Sequence, residues 1–229
     1  MFTSKTPTMA LTLRVLARLL NYPDAEVRQN LGEMRAILHR ERALGTDRLN
    51  ELDALIGSIE RQSAIDAEAD YVQLFDSGRR TSLHLFEHVH GDSRDRGPAM
   101  IDLAQTYEKA GLYLAEGEMP DHLPVVLEFA STQPPAEARA FLGEIAHILN
   151  VVFNALDKRG SRYASVLGAL LELAGESVKP VQVPDEEPLD ESWAEPAAFE
   201  GCATRGQSRP DQPQPINIVR STAAQGVRS

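Results

Sequence analysis

The sequence predicts an all-α protein that consists of one compact multi-helix domain and a C-terminal tail rich in proline and acidic residues. Apolar residues recur at the three- and four-residue spacing of amphipathic helices almost everywhere before Gly175, and no segment shows the strict alternation of a half-buried strand. After Gly175 this periodicity stops and prolines become frequent. We therefore predict a helical domain over residues 1–175 and a flexible tail over residues 176–229.

The first half of the domain is predicted to hold helices separated by breaker residues. The first helix begins near Leu11 and stops before Pro23, because a proline disfavours helical torsions in the residue that precedes it. Asp24 is placed to cap a second helix that runs towards Leu44, and Thr46 is placed to cap a third. A fourth helix over residues 66–77 and a short fifth helix over residues 82–90 complete this half.

Proline positions mark the helix starts of the second half. A helix is predicted to begin at Gly97 or Pro98, because proline is tolerated in the first turn. The next helix begins between Pro120 and Pro124, with Asp121 as its cap. Two long amphipathic helices then start at Pro135 and Ser161.

Composition limits the classes of function and the compartment. The formal net charge of −11 argues against sequence-independent binding of nucleic acid, which requires a basic surface. Cys202 is the single cysteine, so no internal disulfide forms and a reducing compartment fits. Arg14 and Arg18 interrupt the apolar N-terminal run, so we expect neither a secretory signal nor a membrane-spanning helix there. We expect a cytoplasmic protein without direct membrane insertion.

The tail is predicted to be divided by charge. Residues 176–200 contain eight acidic residues against one lysine, whereas residues 201–229 contain four arginines against one aspartate. Such a segment lacks the apolar residues to form a core of its own, and we expect it to be disordered or loosely attached to the domain.

A histidine-rich segment, SLHLFEHVHGDSRDRG, carries the most distinctive motif. His84, Glu87 and His88 have the H-x-x-E-H spacing of an inverted zinc-protease signature. On a helix the two histidines would share a face and a zinc ion, Glu87 would polarise a bound water, and Glu137 or Glu144 would complete the ligands. Alternatively, the histidines are semi-buried polar residues bonded to carboxylates or backbone. We favour this second interpretation, because the predicted helix has barely two turns.

The charged loop after this motif also has two interpretations. Arg94, Asp95 and Arg96 precede a helix N-terminus and would suit an anion, since free backbone N–H groups and guanidinium groups both bind phosphate. The same residues would form an ion-pair network that holds the loop against the domain. We favour the network, because such networks are common structurally.

The middle of the domain resembles a known family. The resemblance is carried by YVQLFDSGRRTSLHLFEHVHGDSRDRGPAMIDL (residues 71–103), by YEKAGL (residues 107–112) and by MPDHLPVVLEFAS (residues 119–131). These segments resemble the nitrate reductase delta subunit family of molybdenum-enzyme assembly chaperones, within the wider group of redox-enzyme maturation chaperones. The resemblance extends over roughly residues 11–173 and is strongest over residues 71–131.

The resemblance implies an all-helical, cytoplasmic and non-catalytic protein that is absent from the finished enzyme. It implies binding of the N-terminal segment of the nitrate reductase catalytic (alpha) subunit. This binding would keep the apoenzyme competent for insertion of the molybdenum bis-guanine-dinucleotide cofactor and delay membrane anchoring. No cofactor is expected to stay bound to the chaperone, and cofactor-insertion proteins are candidate further partners.

An acidic surface and an apolar groove between helices suit a basic amphipathic peptide. We therefore predict a client-binding site in the central segments. Its predicted members are Tyr71, Phe75, Phe86, Glu87, His88, Arg94, Asp95, Arg96, Tyr107, Asp121, His122, Leu123 and Phe129. A zinc-dependent hydrolase based on His84, Glu87 and His88, or a helical scaffold for another partner, are the alternative functions.

Overall fold

The computed structural model describes residues 8–91 and 93–181, which all lie in one compact unit and form ten α-helices. The helices are α1 (Ala10–Leu19), α2 (Ala25–Gln29), α3 (Leu31–Glu41), α4 (Thr46–Arg61), α5 (Ala64–Phe75), α6 (Leu85–Val89), α7 (Arg96–Lys109), α8 (Leu123–Thr132), α9 (Pro135–Lys158) and α10 (Ala164–Ala174). Within the described ranges there is no β-strand, only an isolated antiparallel bridge between His84 and His122. The all-α prediction is confirmed.

The core is built around α10. Nearly every residue of α10 is buried, from Ala164 to Leu173, and a helix that is apolar on all sides belongs in an interior. It packs against α9 and α4, while α1 packs against α8 and α3. By length and composition, α9 is also long and apolar enough to span a membrane. Its packing against α10 accounts for this apolar character.

The second predicted helix is interrupted. Asp24 caps α2 as predicted, since its Oδ1 accepts a hydrogen bond from Val27 N at 2.8 Å. Asn30, however, separates α2 from α3, and its side-chain amide donates to Glu26 O at 2.9 Å. Side-chain amides that bond to nearby backbone compete with helix continuation. The predicted single helix towards Leu44 is therefore two helices, of which α3 ends at Glu41.

Several helix boundaries differ from the predictions by a few residues. α5 spans Ala64–Phe75 rather than residues 66–77, and Ser63 caps it by accepting a hydrogen bond from Asp66 N at 3.2 Å. Thr46 is the first residue of α4 rather than its cap, because Gly45 takes the cap position and donates its N–H to Glu172 Oε1 of α10 at 2.6 Å. α7 begins at Arg96, slightly earlier than predicted, and α10 begins at Ala164 rather than at Ser161. Residues before α10 form a turn.

The start of α6 changes the geometry of the histidine motif. The predicted helix over residues 82–90 is reduced to Leu85–Val89. His84 occupies the position before it with extended torsions (φ −85°, ψ 104°). His84 and His88 therefore do not share a helix face.

The first residues of the predicted tail lie along α9. The side-chain amide of Asn150 donates to Lys179 O at 2.8 Å and accepts from Lys179 N at 2.8 Å. Asn154 likewise donates to Lys179 O at 3.0 Å and accepts from Val181 N at 3.3 Å. The rest of the predicted tail, residues 182–229, lies outside the described residues, so its predicted flexibility stays a prediction.

Candidate functional site

A groove of about 740 Å³ opens between α1, α8 and the segment that connects α7 to α8. This volume lies within the range of protein ligand sites. We call it the α1–α8 groove. It follows α8 from His122 to Thr132, which at 1.5 Å per residue is a length of about 15 Å.

The floor of the groove is aromatic and held in place. The ring of Tyr107 lies 4.7 Å from that of Phe129, which in turn lies 5.3 Å from that of Phe141. The Tyr107 hydroxyl donates to Pro120 O at 2.8 Å, and burial raises its pKa. In α7, all of which is described, Tyr107 alone is buried, so this side chain attaches α7 to the domain.

The rim of the groove is charged. Arg14 and Arg18 come from α1, Glu128 from α8, and Glu118 from the segment between α7 and α8. Arg18 forms an ion pair with Glu26. Among the described residues, Arg14, Glu118 and Glu128 have no ion pair. The groove thus combines an apolar floor with charged groups of both signs at its edge.

Exposed aromatic side chains stand at the mouth of the groove. Tyr113 is 80% exposed and Tyr22 is 44% exposed. The Tyr22 ring meets the buried Tyr71 ring edge-on at a centroid distance of 5.7 Å. Such exposure of large aromatic side chains beside a cavity is typical of interaction surfaces.

The segment before α8 is joined to α6 through Asp121. Its side chain is fully buried, and Oδ2 accepts from Phe86 N at 3.1 Å. Asp121 therefore caps α6, whereas the sequence predicted that it caps α8. Residue His122 takes the cap position of α8 without a side-chain hydrogen bond. The correction has a physical cause, because the fold brings the two segments together and the Phe86 N–H, in the first turn of α6, donates to the buried Asp121 carboxylate.

Arg96 joins the same network. Its Nη2 lies 3.6 Å from Glu87 Oε1 and 3.9 Å from Asp121 Oδ2. For Arg96, these contacts match the favoured interpretation of the charged loop as an ion-pair network. Arg94 and Asp95 are exposed, and the Asp95 side chain makes no capping hydrogen bond to α7.

Two histidines beside Asp121 have opposite electrostatic environments. The rings of His84 and His122 stack with centroids 5.1 Å apart. The hydrogen bond between His84 Nδ1 and Asp121 Oδ1, at 3.3 Å, raises the pKa of His84. Burial, together with the charge of His84, lowers the pKa of His122 to about 4. Near neutral pH, His122 therefore presents an uncharged ring to the groove.

The H-x-x-E-H motif is not arranged as a metal site. His84 is bonded to Asp121, and His88 Nε2 lies 2.9 Å from Ser82 O. The described residues contain no group of three or more histidine, cysteine, aspartate or glutamate side chains that could hold a metal ion. The helical geometry on which the zinc hypothesis depended is wrong, because His84 lies outside α6. The histidines instead bond to a carboxylate and to backbone, as the alternative interpretation predicted.

The structure divides the predicted client-binding residues into three sets. Tyr107, His122 and Phe129 line the α1–α8 groove. Asp121 and Leu123, the two neighbours of His122 in the chain, are buried and do not line it. A second set, outside the groove, lies on α6 and the loop after it: Phe86, Glu87, His88, Arg94, Asp95 and Arg96.

The third set is a buried aromatic cluster. Tyr71 and Phe75 have ring centroids 4.8 Å apart, and Phe75 lies 5.1 Å from Tyr163. The Tyr71 hydroxyl donates to Leu20 O at 2.7 Å. These two residues do not line the groove, because their rings are used in packing between α5 and the start of α10.

Sequence reasoning missed several groove residues. Arg14 and Arg18 lie four residues apart on an otherwise apolar helix, a spacing that places both on one face and would have indicated a functional surface. Glu128 and Tyr113 carry no comparable signal, because nothing in their local sequence shows that α8 and the preceding segment face α1.

Comparison with known proteins gives relatives over most of the chain. The family described as "Nitrate reductase delta subunit" matches residues 22–167. The "Nitrate reductase molybdenum cofactor assembly chaperone NarJ" of Escherichia coli (strain K12) is 39% identical over 207 residues, which cover 90% of this chain and 80% of the relative. A Bacillus subtilis (strain 168) relative, "Probable nitrate reductase molybdenum cofactor assembly chaperone NarJ", is 32% identical over 164 residues, covering 70% of this chain and 86% of the relative.

A solved structure shares the fold. The crystal structure of a redox enzyme maturation protein from Archaeoglobus fulgidus matches with a TM-score of 0.51 and 23% identity, and covers 73% of this chain and 94% of that chain. The curated relatives are named as assembly chaperones, which confirms the prediction of a non-catalytic protein. The match over residues 22–167, with 39% identity across most of both chains, shows that this chain belongs to the nitrate reductase delta subunit family.

Proposed function

We propose that the protein is a dedicated assembly chaperone for a respiratory nitrate reductase, and that its α1–α8 groove binds the N-terminal segment of the catalytic (alpha) subunit. The observation that carries this proposal is the open groove of about 740 Å³, with its aromatic floor and charged rim, in a chain whose relatives are named as nitrate reductase assembly chaperones.

The groove has the shape that a short amphipathic helix needs. Tyr107 and Phe129 offer an apolar floor, and Tyr113 stands exposed at the mouth, ready to cover a bound side chain. The length of about 15 Å along α8 corresponds to about ten helical residues. Docking the apolar face of a helix into such a groove is a common mode of peptide recognition.

The net charge of the chain favours a basic client segment. A formal charge of −11 attracts basic peptides over a distance and speeds the encounter. Buried contacts in the groove then govern the rate of dissociation. We assign client contact first to the groove residues Tyr107, His122 and Phe129, while contact by the residues on α6 and the loop after it stays a prediction.

Occupation of the groove has a consequence for the client. A chaperone that holds the N-terminal segment keeps the apoenzyme away from its membrane anchor until the molybdenum bis-guanine-dinucleotide cofactor is inserted. The chaperone then dissociates and is absent from the final enzyme. This role needs no cofactor bound permanently to the chaperone, places the protein in the cytoplasm, and makes cofactor-insertion proteins candidate partners.

Calorimetry with the N-terminal peptide of the co-encoded catalytic subunit tests the proposal. We expect saturable binding, and we expect Tyr113→Ala to weaken it about tenfold, because a truncated aromatic anchor costs roughly 1–2 kcal/mol. Ile101→Ala is the matched control, since Ile101 is 59% exposed but lies outside the groove. Absence of binding at high micromolar peptide, or active and cofactor-loaded nitrate reductase in a deletion strain, would contradict the proposal.

A further inference from the structure

A hydrogen bond orients the exposed side chain of Arg14 at the rim of the groove. Its Nε donates to Ser131 Oγ at 3.2 Å. The Ser131 hydroxyl in turn donates to Glu128 O at 2.7 Å, so the oxygen is left to accept from Arg14. Ser131 is itself 6% exposed, which fixes this acceptor in place. The two Nη groups are thereby left as a planar pair of donors, a geometry that matches a carboxylate.

No carboxylate of the described chain occupies this position. The chain has 34 acidic against 23 basic residues, so carboxylates are abundant, yet none of those described forms an ion pair with Arg14. Arg18 provides the contrast, because it lies one turn further along the same face of α1 and is paired with Glu26. Of the two arginines that line the groove, one is thus paired and the other is oriented without an anion.

Glu128 supplies the opposite charge close by. It lies on α8 three residues before Ser131, about 4.5 Å along the helix axis. Its side chain is exposed, lines the groove and forms no ion pair within the described ranges, either with Arg14 or with another cation. The rim of the groove therefore presents a positive group, bonded to Ser131, and a negative group that lies one turn before Ser131 on α8, and no ion pair joins the two.

We infer that the groove recognises two charges on the client peptide, with Arg14 binding a carboxylate and Glu128 binding a basic side chain one helical turn away from that carboxylate. This inference rests on the proposed function of the groove. On a helix, side chains three or four residues apart lie on one face about one turn from each other. This is the spacing along α8 of Glu128 and of Ser131, the partner of Arg14. A peptide helix with such a pair matches both groups at once.

This arrangement selects among basic peptides. A peptide with only basic residues satisfies Glu128 but places a like charge beside Arg14. Like charges that face each other disfavour the wrong partner, so the net negative chain attracts basic segments while Arg14 rejects those without a carboxylate. Specificity for one client among several basic leader segments follows from this pair.

Double-mutant cycles measured by calorimetry test the inference. The probe is the N-terminal peptide of the co-encoded nitrate reductase catalytic subunit, together with variants in which each Asp or Glu becomes Asn or Gln and each Lys or Arg becomes Gln. We expect Arg14→Gln to weaken binding of the unchanged peptide roughly three- to tenfold. We expect no further loss when one particular peptide carboxylate is also removed, because the two groups act as a pair.

The same double-mutant cycles are measured for the negative group of the groove, Glu128. Glu128→Gln is expected to couple in this way to one basic residue of the peptide, three or four positions from the coupled carboxylate. Arg40→Gln is the matched control for Arg14→Gln, because Arg40 is exposed on α3 outside the groove and both substitutions remove one positive charge. If Arg14→Gln does not fold, Arg14→Lys keeps the charge but removes the planar pair of donors, and we expect it to weaken the same coupling.

The outcomes separate the inference from the proposed function. If the peptide binds and Tyr113→Ala weakens binding, but Arg14→Gln matches Arg40→Gln with every peptide, the inference is overturned and the proposed function stands. Coupling to peptide residues that are not one turn apart also overturns it. If the unchanged chaperone does not bind the peptide, the proposed function and the inference fail together.

Discussion

The carboxylate of Asp121 accepts a hydrogen bond at 3.1 Å from the backbone N–H of Phe86, a residue 35 positions earlier in the chain. Two backbone hydrogen bonds hold the same segments together, from Leu85 N to Asp121 O at 3.0 Å and from Leu123 N to Leu83 O at 2.8 Å. The start of α6 and the start of α8 are thus joined through one buried carboxylate, and α8 carries one wall of the groove.

Removal of this carboxylate should destabilise the domain. Asp121→Ala leaves the amide of Phe86 without its acceptor and takes a partner from His84 and Arg96, so we expect a loss of about 2–4 kcal/mol in the free energy of unfolding. Urea titration measures this loss. Asp95→Ala is the control, because the Asp95 side chain is exposed and caps no helix, and its effect should stay within about 0.5 kcal/mol. Equal effects of the two substitutions would show that Asp121 is not a structural link.

His122 should make the domain less stable at mildly acidic pH. Its pKa of about 4 in the folded protein lies below the ordinary value of 6.5, so the unfolded chain binds the proton more readily. Stability from the neutral ring is present above about pH 6.5 and is lost as the pH falls towards 4. When the pH is lowered from 7 to 5, we expect the free energy of unfolding of the unchanged protein to fall by about 1–2 kcal/mol more than that of His122→Gln.

Unfolding titrations at the two pH values measure this difference. His147→Gln is the comparison variant, because His147 is exposed on α9 and lies away from Asp121. The prediction is wrong if His122→Gln and His147→Gln lose the same stability on acidification.

His84 should show the opposite dependence on pH. Its pKa is raised by the hydrogen bond to Asp121, so the folded state binds the proton more readily than the unfolded chain. The stability from this interaction is fully present below about pH 6.5 and is lost as the pH rises through the raised pKa. The destabilisation caused by His84→Gln should therefore be largest in acid and shrink at alkaline pH. Thermal unfolding of both proteins from acid to alkaline pH checks this trend. A difference in stability between them that does not change with pH would contradict it.

Gly168 should not tolerate alanine as other helical glycines do. A Cβ at this position of α10 would overlap the guanidinium of Arg48, whose Nε lies 3.7 Å from Glu172 Oε2. Alanine normally stabilises a helix interior by roughly 0.5–1 kcal/mol relative to glycine. We expect that gain for Gly143→Ala, in the interior of α9, where a Cβ meets no atom within 4 Å. For Gly168→Ala we expect a smaller gain or none, because the Arg48 side chain must first shift.

A second substitution isolates the cause. In an Arg48→Ala background the overlap is gone, so Gly168→Ala should become stabilising by the ordinary amount. Chemical unfolding of the unchanged protein, the two single variants and the double variant gives the coupling free energy between positions 48 and 168. If Gly168→Ala behaves like Gly143→Ala while Arg48 is present, the close approach of Arg48 to α10 has no energetic consequence.

Proline positions and apolar periodicity predicted those helices whose limits depend on neighbouring residues. α1 ends at Leu19, before Pro23 as predicted, and Pro135 begins α9. Proline restricts the torsions of its neighbours and lacks an N–H, so both limits could be predicted from short segments. The apolar periodicity likewise predicted most helices, since each must bury one face. Asn30 shows the limit, because it interrupts a pattern that continues through it, and the competing side-chain hydrogen bond is visible only in the folded chain.

The candidate site was predicted only in part. Tyr107, His122 and Phe129 lie in the segments that resemble the family, and these three do line the groove. Tyr71 belongs to the same segments but lies in another cluster, because its hydroxyl reaches Leu20 O across the core. A shared motif indicates common ancestry and does not show which members of it meet in space.

The sequence by itself determined the helical class, the approximate positions of most helices and the family, because periodicity, breaker residues and motif letters are properties of short segments. Only the tertiary structure decided that Asp121 caps α6 instead of α8, that His84 lies outside the helix of its motif, and that Arg14 meets Ser131. The last two partners are 117 residues apart. Contacts over such distances depend on how complete helices pack, which no local pattern specifies, and the groove consists of contacts of this kind.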